Sequence, residues 1–243
     1  MAHPRIEIIN ESTILDDSDV KPVVPSLQTQ VRRDFALPWG ANAKLVFLPK
    51  KSNPSPASWW IGIFDDSHQA GVLGYHDLTA KGLPLGKVFA RTDKQLGCEW
   101  TVTLSHELLE MLGNPSSNLF VQHQSNKGLL YPYEVCDACE PDKFGYKIDS
   151  VLVSDFVYPA WFEHFHKKGS TRFDHCKLTV RPFQVLPGGS IYTFDVRTHR
   201  INAQRKPKHV RPRNDSERRD TEFRAINGVR APSNGNNVMN SEV

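Results

Sequence analysis

The chain has 243 residues, 39% of them hydrophobic, and a formal net charge of +3. This size and composition suit one globular domain with a buried core. Three classes of protein are not expected. A membrane-spanning protein is not, because no stretch approaches the roughly 20 apolar residues that cross a bilayer. A secreted protein and a disulfide-stapled scaffold are not either, because residues 1–19 lack the pattern of a secretory signal and four cysteines are too few. We therefore expect a soluble, cytoplasmic protein.

Charge and hydrophobicity divide the chain into three parts. Residues 1–18 lack hydrophobic periodicity, which predicts a flexible N-terminal arm. Residues 19–202 carry the patterns of a single domain. Residues 203–243 contain nine Lys and Arg against five Asp and Glu, with few large apolar side chains, which predicts a disordered basic tail.

The first predicted helix covers residues 19–39. Val24, Leu27, Val31 and Phe35 recur there at spacings of three and four, the pattern of one apolar helix face. A Pro-Trp-Gly run predicts the end of this helix. Four strand-like runs separated by turn residues follow it and predict a small sheet: residues 43–48, 58–64, 71–78 and 87–90.

The strongest predicted helix covers residues 100–112. Leu104, Leu108 and Met111 form an apolar stripe, so the helix is expected to be buried although it also carries charged residues. Gly113 suits a left-handed C-terminal position, and the following Asn-Pro pair predicts the stop.

The sequence of the second half of the domain predicts short secondary-structure elements. They are a strand at 119–123, an acidic loop or strand at 133–140, strands near 146–148 and 151–153, an aromatic helix near 159–166, and a closing hairpin of residues 180–185 and 191–196.

The buried helix carries the pattern HExxE. Residues four apart lie on one helical face, so His106 and Glu110 can bind one metal ion. In the related HExxH pattern the residue corresponding to Glu107 is the general base that acts on a metal-bound water. A carboxylate ligand is harder than imidazole and reduces the Lewis acidity of zinc. Zinc is the expected metal, with manganese, iron or calcium, or an empty site, as alternatives.

A catalytic zinc site needs a third protein ligand. The acidic segment 133–140 offers Glu134, Asp137 and Glu140. If this segment is extended, Glu134 and Glu140 share one face. If it is a turn or a helix, Glu134 and Asp137 converge instead. Periodicity does not choose between these arrangements.

The string HELLEMLGNP, followed by EVCD, resembles an HExxE variant of the zincin-like metallopeptidases, and VSDFVYPAWF is similar to strings in uncharacterised bacterial and phage proteins of that type. The resemblance covers about residues 19–200. It implies an α+β fold in which a small mixed sheet packs on an N-terminal helix and a buried metal-site helix. It also implies functional roles: His106 and Glu110 as ligands, Glu107 as base, and Glu134 and Asp137 as a downstream acidic pair.

Two other features have competing interpretations. His76, on a predicted strand, could stabilise an oxyanion or be a strand-end histidine bonded to nearby backbone. Cys136 and Cys139 form a CxxC, which could be a redox pair or part of a structural zinc site with the other cysteines or His175. Buried, inert thiols are the simpler interpretation.

Three functional hypotheses follow. The first is a zinc-dependent metallopeptidase acting on a peptide or protein substrate. The second is a catalytically inactive zincin-like protein with a structural or interaction role, in a virion for example, attached to a larger assembly through its tail. The third is a nucleic-acid-binding module. Only the basic tail favours the third, and its acidic residues interrupt the charge.

Overall fold

The computed structural model describes residues 3–68, 72–122, 127–163, 167, 169 and 171–205. These residues form an α+β fold with a five-stranded sheet, a four-stranded sheet and a two-stranded hairpin. The predicted α+β class is confirmed. Within these ranges, no helix has both the length and the apolar character needed to span a membrane.

The five-stranded sheet is mixed. Its strands lie in the order β2-β1-β3-β5-β4, and only β4 is antiparallel to its neighbour, at one edge. The strands predicted between residues 43 and 90 are confirmed with shifted ends. The sheet consists of β1 (Arg5–Asn10), β2 (Lys44–Leu48), β3 (Trp59–Phe64), β4 (Gly74–Leu78) and β5 (Pro84–Phe89).

Strand β1 corrects the prediction of a flexible arm over residues 1–18. It lies between β2 and β3, and five of its six residues are buried. The buried Glu7 carboxylate accepts a hydrogen bond from the Ser55 amide at 2.8 Å. Because its pairing partners come from distant parts of the sequence, the short apolar run has no local signal of its own.

A nearly continuous helical segment follows β1, as the apolar spacing predicts. It ends at Gly40, whose φ of 65° is left-handed, and the predicted apolar face is buried. The segment comprises α1 (Asp17–Val20), α2 (Val24–Thr29) and α3 (Ala36–Trp39), joined by a 3-10 turn at Lys21–Val23 and a π-helical turn at Gln30–Phe35.

After the short helix α4 (Ala90–Gln95), helix α5 (Trp100–Gly113) runs against β4 and β5. Every α5 residue from 102 to 113 is buried, as predicted. The prediction of a left-handed Gly113 is wrong, since Gly113 is the last helical residue and lacks a positive φ. A Cβ at Gly113 would lie 2.9 Å from Val135 Cγ1. The glycine therefore allows the acidic segment to approach the helix end.

The remaining strands form two antiparallel units. The four-stranded sheet has the order β11-β10-β7-β6, and β8 pairs with β9. Their bounds are β6 (Phe120–Gln122), β7 (Leu129–Pro132), β8 (Tyr146–Ile148), β9 (Val151–Val153), β10 (Ser190–Asp195) and β11 (Arg200–Arg205).

The closing hairpin differs from its prediction. Strand β10 pairs with β11, and residues 180–185 form no strand. Phe183 has a φ of 54°, and the proline before it lacks an amide hydrogen, so this run turns instead of pairing. Strand β11 also shows that the disordered tail does not begin at residue 203. Residues 206–243, which include the rest of the predicted tail, lie outside the described residues.

The predicted aromatic helix is a single 3-10 turn, Pro159–Phe162. Residues 164–166 of that prediction, and position 123 of the predicted 119–123 strand, lie outside the described residues. Trp161 and Phe162 are buried, which agrees with their interpretation as packing residues.

A buried pair of carboxyl groups ties the segment after β9 to a later loop. Asp155 and Asp174 are both fully buried. Asp155 Oδ1 accepts hydrogen bonds from the amides of Phe156 and Cys176 at 2.8 and 3.1 Å. Asp174 accepts bonds from two amides of its own loop at 2.8 and 2.6 Å. Burial, together with the nearby Asp174 charge, raises the pKa of Asp155 to about 8. Asp155 therefore keeps its proton at neutral pH.

This pair predicts a pH-dependent stability. The unfolded Asp155 titrates near 3.8, so between about pH 4 and 8 the folded chain holds a proton that the unfolded chain has lost. The free energy of unfolding then falls with rising pH, by at most about 1.4 kcal/mol per pH unit from this group. Asp155→Asn has no proton to lose, and its amide can donate to Asp174. We expect this variant to flatten the dependence in urea unfolding.

Asp155→Ala is the matched control, because it removes both accepted hydrogen bonds and should destabilise the protein at every pH. Parallel pH profiles for the wild type and Asp155→Asn would contradict the prediction.

Candidate metal centre

Helix α5 brings together the three polar residues of the HExxE pattern. His106, Glu107 and Glu110 are all fully buried. His106 Nε2 lies 2.9 Å from Glu110 Oε1. The prediction that His106 and Glu110 share one face of the helix is therefore confirmed.

The acidic segment 133–140 adopts the turned arrangement. It forms a turn and then a 3-10 helix, Asp137–Cys139. Asp137 Oδ1 lies 3.3 Å from His106 Nε2, and Glu134 lies in one group with Glu110. Glu140 instead accepts a hydrogen bond from Ser190 on β10, at 3.2 Å. The segment thus brings Glu134 and Asp137 to α5, as the alternative with a turn or helix predicts.

The edge strand β4 adds a second histidine. His76 Nδ1 lies 3.5 Å from Glu110 Oε2 and 3.6 Å from Glu107 Oε2, and His76 is only 2% exposed. The sequence predicts His76 only as an oxyanion stabiliser or a strand-end histidine. Its candidate role as a ligand was missed because the proximity of β4 to α5 depends on tertiary packing. The sequence carried one signal: Gly74 and His76 are two residues apart on a predicted strand, so they face the same side of it.

Cys136 lies at the same centre, whereas the sequence placed it in a redox pair, in a separate structural zinc site or among inert thiols. His106, Glu110 and Cys136 each offer a ligand atom, and these atoms lie within 4.8 Å of one another. The Cys136 amide is 3.3 Å from Glu110 Oε1. Burial, and then the nearby Glu110 charge, raises the pKa of the Cys136 thiol well above its usual value. Cys136 is a free thiol. Cys136 therefore lies beside the polar centre as a buried thiol that could bind a metal ion.

The donor atoms have the chemistry and spacing of a metal site. A second group consists of His76, Glu110 and Glu134, again within 4.8 Å of one another. In a tetrahedral zinc site with bonds of about 2.0–2.3 Å, neighbouring donors are about 3.2–3.7 Å apart. The observed separations between candidate ligands, 2.9, 3.3 and 3.5 Å, overlap this range. Histidine, cysteine and carboxylate are the zinc ligands found in proteins, so these residues fit a divalent metal.

A buried hydrogen-bond network fixes α5 beside this centre. Ser105 Oγ, one residue before His106, donates to Gln30 Oε1 at 2.7 Å and accepts from the Ser154 amide at 3.0 Å. Gln30 Nε2 donates to the Ser154 carbonyl at 2.9 Å. The network joins α5, the π-helical turn and the segment after β9. It therefore restricts rotation of the helix that carries the candidate ligands.

Gly74 lets β4 approach Glu107. A Cβ at this position would lie 2.9 Å from Glu107 Oε1, 2.8 Å from Thr103 Cγ2 and 2.9 Å from the Lys87 carbonyl oxygen. Each of these distances is too short for a carbon atom, so any larger residue must push α5 or β4 aside.

We expect Gly74→Ala to lower the free energy of unfolding by about 1–3 kcal/mol because it overpacks a filled space. Metal affinity should fall as well, since β4 also carries His76, and its displacement moves this candidate ligand away from Glu110. Urea unfolding and metal titration measure the two effects. Thr103→Ser removes the clashing methyl group and keeps the hydroxyl bond to Asp93, so the double variant should recover part of the loss. An unchanged Gly74→Ala protein would contradict this packing.

Comparison of the chain with known protein families, curated proteins and solved structures finds no match. The fold and the centre define the chain as an α+β protein with buried His, Glu and Cys groups that could hold a metal ion.

Proposed function

We propose that the protein is a metal-dependent hydrolase of the zincin-like type that cleaves a peptide or related amide bond. One observation carries the proposal: Glu110 of α5 lies between two histidines, with Oε1 2.9 Å from His106 Nε2 and Oε2 3.5 Å from His76 Nδ1 of β4. A Glu107 carboxylate oxygen lies 3.6 Å from the same His76 nitrogen. Two imidazoles, a ligand carboxylate and an adjacent second carboxylate are the parts that metal-assisted hydrolysis requires.

Each residue has a role in this proposal. His106 and Glu110 would hold the ion, with an acidic ligand added by Asp137 beside His106 or by Glu134, which groups with Glu110 and His76. A bound divalent ion supplies Lewis acidity that lowers the pKa of a coordinated water to about 7. Glu107 accepts the proton of the attacking water and returns it to the leaving amine. Zinc is the proposed metal. A carboxylate ligand makes manganese or iron more acceptable than two neutral imidazoles would.

The position of β4 supports a peptide substrate. Among the described residues, β4 forms one edge of the five-stranded sheet and pairs only with β5. An extended peptide can add to such an edge through main-chain hydrogen bonds. Because β4 also carries His76, this mode of binding brings a peptide bond close to the centre.

Burial favours a second candidate, a metal-stabilised protein without catalytic activity. The three α5 residues are fully buried, and His76 and Glu134 are 2% and 6% exposed. Structural zinc sites are closed in this way, whereas catalytic sites keep one position open to water and substrate. The inactive zincin-like alternative, with an interaction role, is therefore retained.

Peptide hydrolysis by the metal-loaded wild type and by Glu107→Gln separates the two candidates. Hydrolysis that disappears in Glu107→Gln, with metal retained, supports the hydrolase. A metal-loaded wild type that cleaves no member of a diverse peptide library supports the structural role.

A further inference from the structure

We propose that the centre is dinuclear, with two divalent ions bridged by the Glu110 carboxylate. His106 and Cys136 hold one ion, and His76 and Glu134 hold the other. The inference rests on the proposed function in one respect, that this centre binds metal, and it goes beyond a single zincin-like ion.

The two oxygens of Glu110 face different partners. Oε1 lies 2.9 Å from His106 Nε2 and 3.3 Å from the Cys136 amide. Oε2 lies 3.5 Å from His76 Nδ1. A carboxylate that presents one oxygen to each of two ligand sets can bridge two ions, which lie about 3.5–4 Å apart in two-metal sites.

The candidate ligands separate into two groups that share only Glu110. His106, Glu110 and Cys136 form one group, and His76, Glu110 and Glu134 form the other. Within each group the donor atoms lie within 4.8 Å of one another, but the five residues do not form one such group. A single ion cannot take all five donors at bond lengths of about 2.0–2.3 Å. Two ions use every one of them.

The two positions differ in chemistry. The first has a thiolate and an imidazole, and Asp137 Oδ1, 3.3 Å from His106 Nε2, is available as a fourth donor. This soft set favours zinc or cobalt. The second has an imidazole and two carboxylates, a harder set that also accepts manganese or iron. Glu107 lies beside the second position and is not one of its ligands, so it is placed to act as a base there.

Charge favours the same assignment. Four carboxyl groups meet at the centre: Glu107, Glu110, Glu134 and Asp137. Ionised carboxylates out of water cost several kcal/mol each unless opposite charge is close. With the Cys136 thiolate, the proposed ligands and Glu107 carry up to five negative charges, of which two divalent ions offset four and one divalent ion offsets two.

Cobalt titration of the metal-stripped full-length chain tests the inference. After removal of excess metal, elemental analysis should give two cobalt ions per chain, and the absorption spectrum should contain a cobalt–thiolate charge-transfer band. Cys136→Ser should lose that band and bind its first-position ion at least tenfold more weakly. Cys139→Ser is the matched control: it alters the other buried cysteine of the same turn, which is in neither group, and should keep two ions and the band.

Two further variants test the second position and the bridge. His76→Asn should reduce the stoichiometry to one ion and keep the thiolate band. Glu110→Gln should weaken both positions and abolish the magnetic coupling between the two cobalt ions. Circular dichroism of each variant checks that it folds, and the wild-type stoichiometry needs no variant at all.

Each other outcome overturns a stated part. One cobalt ion per chain overturns the dinuclear centre and leaves the single-ion hydrolase intact, whereas no bound cobalt overturns both. A thiolate band that survives in Cys136→Ser, or disappears in Cys139→Ser, overturns the assignment of Cys136. Loss of only one ion in Glu110→Gln overturns the bridge.

Discussion

Glu107→Gln is expected to keep the full metal content of the protein and to lower peptide hydrolysis by about 10²–10⁴-fold, the usual contribution of general acid–base catalysis. Glutamine has nearly the same shape as glutamate and fits the fully buried position, but its amide cannot accept the proton of the attacking water. Metal analysis and single-turnover cleavage of a susceptible peptide measure the two parts of this result.

Glu99→Gln is the matched control for this variant. Glu99 is exposed at the N-terminal end of the same helix, so its substitution should change neither metal content nor rate. Retained hydrolysis in Glu107→Gln would exclude Glu107 as the base. Lost metal in Glu107→Gln would instead identify Glu107 as a ligand.

Removal of the metal should produce the second large effect, on stability. A ligand that binds only the folded chain, at a free concentration of about 1,000 times its Kd, adds about 4 kcal/mol to the free energy of unfolding. For a domain of this size, 1 kcal/mol corresponds to about 2–4 °C in Tm. We therefore expect a chelator to lower Tm by about 8–16 °C, measured by calorimetry. His106→Ala should start at a lower Tm than the wild type and respond less to the chelator.

His3→Ala provides the comparison, because His3 is exposed at the start of the chain and lies outside both ligand groups. It should retain the wild-type response to the chelator. A His106→Ala protein that loses as much stability in chelator as the wild type would place the stabilising metal elsewhere.

The elements predicted from the sequence are those with strong local signals. Helix α5 has a continuous apolar stripe and a clear termination signal in the Asn-Pro pair that follows it, and the strands between residues 43 and 90 are bounded by turn residues. Strand β1 lacked such a signal. It is stabilised by pairing with β2 and β3, and Glu7 in its middle is satisfied by residues some fifty positions later. The pairing of β10 with β11 was missed because β11 overlaps the polar start of the predicted tail and has no apolar pattern of a strand.

The candidate site divides in the same way. The convergence of His106 and Glu110 follows from helical periodicity alone. The choice between Asp137 and Glu140 depended on whether residues 133–140 turn, and the contact of Val135 with Gly113 accompanies that turn. His76 comes from another element, 30 residues before His106. Only the packing of β4 on α5 reveals it.

Elemental analysis of the full-length protein, purified without a histidine tag and without chelator, tests the central claim most directly. A metal centre built on His106 and Glu110 predicts at least one divalent metal ion per chain in the wild type and a lower metal content in His106→Ala. A wild-type protein that contains no metal, takes up none on titration and has the same Tm with and without chelator would contradict it.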